Sequence, residues 1–124
     1  MDLINSAIQS KTILIKSNSL VVRSYMHQND LANWILAIIF KMKKKFSIYN
    51  FGSDDEISLH DLGQFLAKKY NLSFNSNFLE MNNSNKKDIY IPNLEKIKKT
   101  FKLKLNFNSI QAVLNTIQEI KKQK

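Results

Sequence analysis

The chain has 124 residues, of which 44% are apolar, and it contains no Cys. That length suits one domain with a modest core, and the missing Cys excludes disulfides, Cys-based zinc sites and thiol chemistry. The formal net charge of +9 rests on eighteen Lys and a single Arg, with the Lys set among Asn as in Asn82-Asn83-Ser84-Asn85-Lys86-Lys87, a diffuse bias unlike the clustered, Arg-bearing face of a polyanion binder, so no nucleic-acid partner is expected.

The first residues, Met1 to Ile15, lack a basic start followed by a sustained apolar run, so no signal peptide is expected and the chain is expected in the cytoplasm. Asp2 to Gln9 is predicted as a short amphipathic helix with Leu3, Ile4, Ala7 and Ile8 on one face. Thr12 to Lys16 and Val21 to Met26 are rich in β-formers, and the intervening Ser17-Asn18-Ser19 predicts that they pair with one another. A helix then follows, capped by Asn29 or Asp30, with Leu31, Trp34, Ile35, Ile38, Ile39 and Met42 as its main stripe. Ala32, Leu36 and Phe40 lie off the stripe, so this helix is apolar almost all round and calls for cover on several sides. The apolar run Leu31–Phe40, broken only by Asn33, falls short of the ~20 residues needed to span a membrane, and no membrane partner is expected.

Ser47 to Phe51 is predicted as a strand running into the turn Gly52-Ser53-Asp54-Asp55. Ser58, with Asp61 three residues on, forms a capping box for the next helix, and Ile57 can staple to Leu62 across it. Phe74 to Met81 and Ile89 to Ile91 are weaker strand candidates around a polar loop, and Pro92 ends the latter. Asn93 is expected to cap a short helix carrying Leu94, Ile97 and Phe101. Asn108 and Gln111 open a final helix with a stripe of Ile110, Val113, Leu114, Ile117 and Ile120, and residues 119–124 are expected to fray.

Catalytic chemistry is hard to assemble from these residues. The two glycines, Gly52 and Gly63, are too far apart for the bare-backbone turn that a dinucleotide or a Walker phosphate needs. His27 and His60 lie apart without a carboxylate pattern for a metal, and His60, in the first turn of a capped helix, reads as exposed. Asp54-Asp55-Glu56 reads as a solvated acidic turn suited to the adjacent helix dipole rather than a cation site.

One segment points further. Val22-Arg23-Ser24-Tyr25-Met26-His27-Gln28-Asn29-Asp30-Leu31-Ala32 resembles the stretch with an Arg, an aromatic and a later Asp-Leu-Ala in NAD-dependent epimerases and dehydratases of nucleotide sugars, extended members of the short-chain dehydrogenase/reductase superfamily. Ile48-Tyr49-Asn50-Phe51-Gly52-Ser53 with Ile57-Ser58-Leu59-His60-Asp61-Leu62 is similar to that family's YNxG strand and ISxxxL helix. Tyr90-Ile91-Pro92-Asn93 before Lys96 and Lys99-Thr100-Phe101-Lys102-Leu103 is similar to its Tyr-x-Pro-Asp run and the Lys-rich helix after it. The three blocks stand in the family's order, and Asn108 to Ile117 matches the position of its closing helix.

The resemblance implies an α+β fold over 1–124, a single partial domain equivalent to the C-terminal, nucleotide-sugar-binding portion and lacking the Rossmann half. The family's N-terminal half supplies the NAD turn and a Tyr-x-x-x-Lys pair; here Asn29, Ser53, Phe74 and Leu94 stand four residues after the four Tyr. No catalytic residue, metal ligand or cofactor site is therefore expected in this chain, NAD belonging to the intact family enzyme. The resemblance assigns Arg23 to the nucleotide diphosphate, because a guanidinium grips two phosphate oxygens at once, and makes Tyr25, Asn50 and Tyr90 further substrate-binding candidates. The plainer reading of Arg23 is an exposed side chain or a partner of Asp30, and Asp30 itself reads as fixing the helix start.

The chain departs from the family where Lys16-Ser17-Asn18-Ser19-Leu20 replaces a glycine-bearing hairpin and where Asn93 replaces an Asp. Its loop for a second phosphate-binding Arg offers only Lys86 and Lys87. The expected ligand is a nucleotide sugar, and the expected partner is a separately encoded N-terminal half or a second copy meeting the all-round apolar helix. A basic module for an acidic or nucleic-acid partner and a remnant without function stay open as alternatives.

Overall fold

Local capping rules place the helices well. In the computed structural model, which describes residues 2–43, 46–77 and 87–123, the helices are α1 (Asp2–Ile8), α2 (Gln28–Lys41), α3 (Leu59–Tyr70), α4 (Glu95–Phe101) and α5 (Ser109–Lys122). Ser58 accepts the Asp61 N–H at the start of α3 and donates its hydroxyl to the Asp61 carboxylate at 2.6 Å. Asn108 and Gln111 form both halves of the capping box on α5, which runs on through Lys122. α4 opens at Leu94 without a side-chain cap of its own, although the Asn93 side chain accepts the Glu95 N–H at 2.9 Å. The N-cap of α2 is His27 rather than Asn29 or Asp30: its ring Nδ1 accepts the Asn29 N–H at 3.2 Å, so the helix starts at Gln28.

The strands are β1 (Ile13–Ile15), β2 (Leu20–Ser24), β3 (Glu56–Ser58), β4 (Phe74–Ser76) and β5 (Lys87–Ile89). The expected pairing of β1 with β2 does not form. β1 runs parallel to β4 with Ile13 opposite Phe74, while β2 is the centre of a three-stranded sheet, antiparallel to β3 and parallel to β5. The connection explains the difference. The Ser17 hydroxyl oxygen accepts the Ser19 N–H at 3.1 Å, so a side chain closes this turn locally and the chain passes from one sheet to the other. Residues 78–81 of the strand predicted over Phe74 to Met81, and the polar loop after it, lie outside the described residues.

Ser47 to Phe51, expected as a strand, has no ladder among the described residues. Side chains hold it instead: the Tyr49 ring meets Phe101 edge-on at 5.2 Å, and the Lys96 ammonium donates to the Ile48 carbonyl at 2.8 Å. Gly52 beyond it takes φ +150 and lies so close to Pro92 that a Cβ would meet the ring at 2.8 Å.

Two apolar clusters hold the molecule together. Ala7 of α1, Ile13 of β1, Leu62, Leu66 and Ala67 of α3, and Val113 and Ile117 of α5 are buried together, and Ile57 packs against them. Gly63 lets α3 lie directly on the small parallel sheet, since an added Cβ would stand 2.9 Å from the Phe74 ring and 3.1 Å from Ile15. The second cluster joins Trp34 and Ile38 of α2 to Leu94, Ile97 and Phe101. Trp34 also donates its indole N–H to the Lys104 carbonyl at 2.9 Å, satisfying the polar edge of a buried ring. The architecture is α+β, as expected.

Candidate functional site

β2 carries Arg23 on the central strand of its sheet, and the guanidinium reaches across to β5. Nη1 donates to the Val22 carbonyl at 2.8 Å and to the Asp88 carbonyl at 2.7 Å, and Nη2 donates to the Asp88 carboxylate at 2.6 Å. The partner of Arg23 is therefore Asp88 and not Asp30. Asp30 is fully buried, and its carboxylate accepts the Asn106 N–H at 3.0 Å, the Asn106 side-chain amide at 2.6 Å and the Phe107 N–H at 3.1 Å. Three donors from a distant loop satisfy a charge that would be costly to bury alone.

Tyr25 follows β2 and lines an apolar cavity of about 290 Å3 together with Leu3 and Ile4 of α1, Leu14 and Ile15 of β1, Leu59 and Leu62 of α3, and Val113, with Lys16 and Ser17 also on its wall. Burial pushes the Tyr25 phenol above its ordinary range, and the Arg23 charge pulls it partly back. Arg23 and Tyr25 thus feel each other electrostatically. The Tyr90 N–H donates to the Val22 carbonyl at 3.1 Å, which puts this residue beside the Arg23 strand, but its side chain is 72% exposed. Asn50 stands apart: its amide donates to the Asn93 carbonyl at 3.2 Å and ties the 47–51 segment to the Pro92–Asn93 turn. Three of the four candidates therefore cluster around β2, and the fourth does not join them.

The backbone under Tyr25 is fixed by residues that carry no short-range signal in the sequence. The Tyr25 N–H donates to the Ser109 hydroxyl oxygen at 3.0 Å, the Ser109 N–H donates to the Asp55 carboxylate at 2.6 Å, and the Ser109 hydroxyl donates to the Asp55 carbonyl. Asp55 is thereby committed to the start of α5. Asp54 pairs with the Lys98 ammonium at 2.5 Å, so the acidic turn serves ion pairing and capping. Among the described residues, no three His, Cys, Asp or Glu side chains gather as a metal site.

His60, expected on the surface, is half-buried, with Nδ1 3.2 Å from the Ser76 hydroxyl and its ring edge-on to Phe74 at 5.2 Å. His27 is buried, packs on Phe107 with ring centroids 4.5 Å apart, and points Nε2 toward Glu119 at 3.7 Å. Neither of these histidines faces the cavity beside Tyr25.

The outer faces of α2 are open. Leu31, Ile35, Leu36, Ile39, Phe40 and Met42 are exposed, as are Phe46, Ile48 and Phe51 of the segment that follows. No helix among the described residues is long and apolar enough to cross a membrane.

No protein-family model and no curated protein matches the sequence. Solved structures do share its fold. The dTDP-glucose 4,6-dehydratase of Bacillus anthracis, determined in complex with NAD, superposes with a TM-score of 0.71 at 19% identity, over 98% of this chain and 38% of the dehydratase. A UDP-galactose 4-epimerase gives 0.72 at 19% identity, over 98% of this chain and 40% of its own. The UDP-N-acetylglucosamine 4-epimerase of Bacillus cereus gives 0.71 at 19% identity, over 98% and 42% respectively. The chain spans about two fifths of the length of each of these proteins.

Proposed function

We propose that this chain is the nucleotide-sugar-holding, C-terminal portion of an NAD-dependent epimerase or dehydratase, and that a dinucleotide-binding unit supplies the hydride chemistry. The observation that carries this reading is the fold shared along 98% of this chain with enzymes named for dTDP-glucose and UDP sugars. Local geometry supports it. A cavity walled by aliphatic side chains and Tyr25 offers stacking and apolar contact to one end of a ligand. The neighbouring Arg23 offers a charge-assisted donor, its Nη2, to a diphosphate. In this reading Tyr90 flanks the phosphates, and Asn50 serves the 47–51 segment rather than the ligand.

Partner and site belong together. The exposed apolar faces of α2 and of Phe46, Ile48 and Phe51 form a surface of the kind that marks an interface, and the dinucleotide-binding unit docks there. NAD binds that unit, while this chain's residues hold and orient the sugar nucleotide.

Calorimetric titration with UDP-glucose, UDP-galactose and dTDP-glucose tests the reading. The expected outcome is saturable binding of at least one of them, lost when uridine or thymidine replaces the diphosphate ligand. Arg23→Ala should weaken that binding roughly ten-fold or more, as removal of a charge-assisted hydrogen bond does. Absence of binding by all three at millimolar concentration overturns the proposal.

A further inference from the structure

We infer that Asp88 is a built-in competitor for the anion that Arg23 takes up, so that it sets the affinity of the site rather than its geometry. The inference rests on the diphosphate role proposed for Arg23 and adds a residue to that site. Its basis is the division of labour within one guanidinium. Nη1 is held by two backbone carbonyls, those of Val22 and Asp88, at 2.8 and 2.7 Å. These acceptors persist whatever side chain stands at position 88, and they fix the direction of the guanidinium. Nη2 is held differently, by the Asp88 carboxylate at 2.6 Å. The carboxylate therefore occupies the prong that a phosphate oxygen would take, without being needed to aim it.

Exposure makes the exchange feasible. The side chains of Arg23 and Asp88 are 30% and 58% exposed, so water and ligand reach the pair, and exposed pairs of this type are weak. A diphosphate brings more charge and more acceptor oxygens than one carboxylate, and it displaces Asp88 from Nη2 while Nη1 stays on its backbone acceptors. The displaced carboxylate then lies beside the bound phosphate and repels it. Both effects lower affinity in the natural chain, and both vanish when position 88 is neutral.

The test uses the full chain and its Asp88→Asn variant, titrated separately with inorganic pyrophosphate and with UDP. The readout is the Arg23 side-chain Nε–H resonance, unambiguous because the sequence contains no other Arg. Asp88→Asn should bind both probes roughly two- to five-fold more tightly, the range set by loss of an exposed ion pair, with an unchanged melting temperature. Equal or weaker binding by the variant overturns the inference and makes Asp88 a positioning residue, while UDP binding by the natural chain leaves the proposed function standing. Tighter pyrophosphate binding by the variant without UDP binding by either protein supports the competition and removes the nucleotide-sugar reading. If neither probe binds either protein at millimolar concentration, both fall.

Discussion

The two apolar clusters are built from similar helices and end in different states. α3 and α5 each present a narrow stripe, and Leu62, Leu66, Val113 and Ile117 are buried together with Ala7 of α1 and Ile13 of β1. α2 has the same length as α5, fourteen residues, but its apolar residues run around the whole circumference while α4 covers one face. Trp34 and Ile38 go in; Leu36 stays 52% exposed and Phe40 83% exposed. The difference is that, among the described residues, the second cluster is covered on one face of α2 while the opposite face stays open. An amphipathic helix ends where its stripe ends, whereas a helix apolar all round needs neighbours on several sides.

Five variants would break or sharpen that contrast. The largest effect is expected from Trp34→Ala, which removes the anchor of α2 on α4 and leaves the Lys104 carbonyl without its donor; chemical denaturation should show a loss of about 3–5 kcal/mol. Leu66→Ala, in the closed cluster, should cost about 2–5 kcal/mol in the same assay. Leu36→Ala, by contrast, should cost no more than about 0.5 kcal/mol, because its side chain already meets solvent; a large loss there would mean that the outer face of α2 is covered in solution.

Gly63→Ala is expected to destabilise by about 1–3 kcal/mol, since the new methyl meets Phe74 and Ile15 at close range in a packed layer. The smallest effect on stability is expected from the double change Ile39→Glu and Phe40→Glu, within about 0.5 kcal/mol. Its consequence lies in association: sedimentation should show the natural chain self-associating or binding its partner unit, and the variant doing neither. A natural chain that remains strictly monomeric at high concentration would argue that the open face is inert.

The sequence made local features legible and distant ones opaque. The caps at Ser58 and Asn108 depend on residues three apart, and they form as the spacing predicts. The helix apolar all round was likewise readable, because periodicity is written in consecutive residues. The His27 cap was hidden behind the better capping residues Asn29 and Asp30, and Asp30 was already committed to the 106–107 loop. The pairing of β1 with β2 failed as an expectation because three polar residues between two β-rich runs look like a hairpin, while the true partners β4, β3 and β5 arrive much later in the chain. Within the candidate site, Arg23 and Tyr25 were readable as one stretch of strand. Asp88 and Ser109, which respectively engage the guanidinium and pin the Tyr25 backbone, come from far along the chain and leave no trace near β2.

The tie between Asp30 and the 106–107 loop also bears on how the molecule folds. The carboxylate and its donors are 76 residues apart at the nearest, so this tie closes a long loop of chain and carries the conformational-entropy cost of that closure.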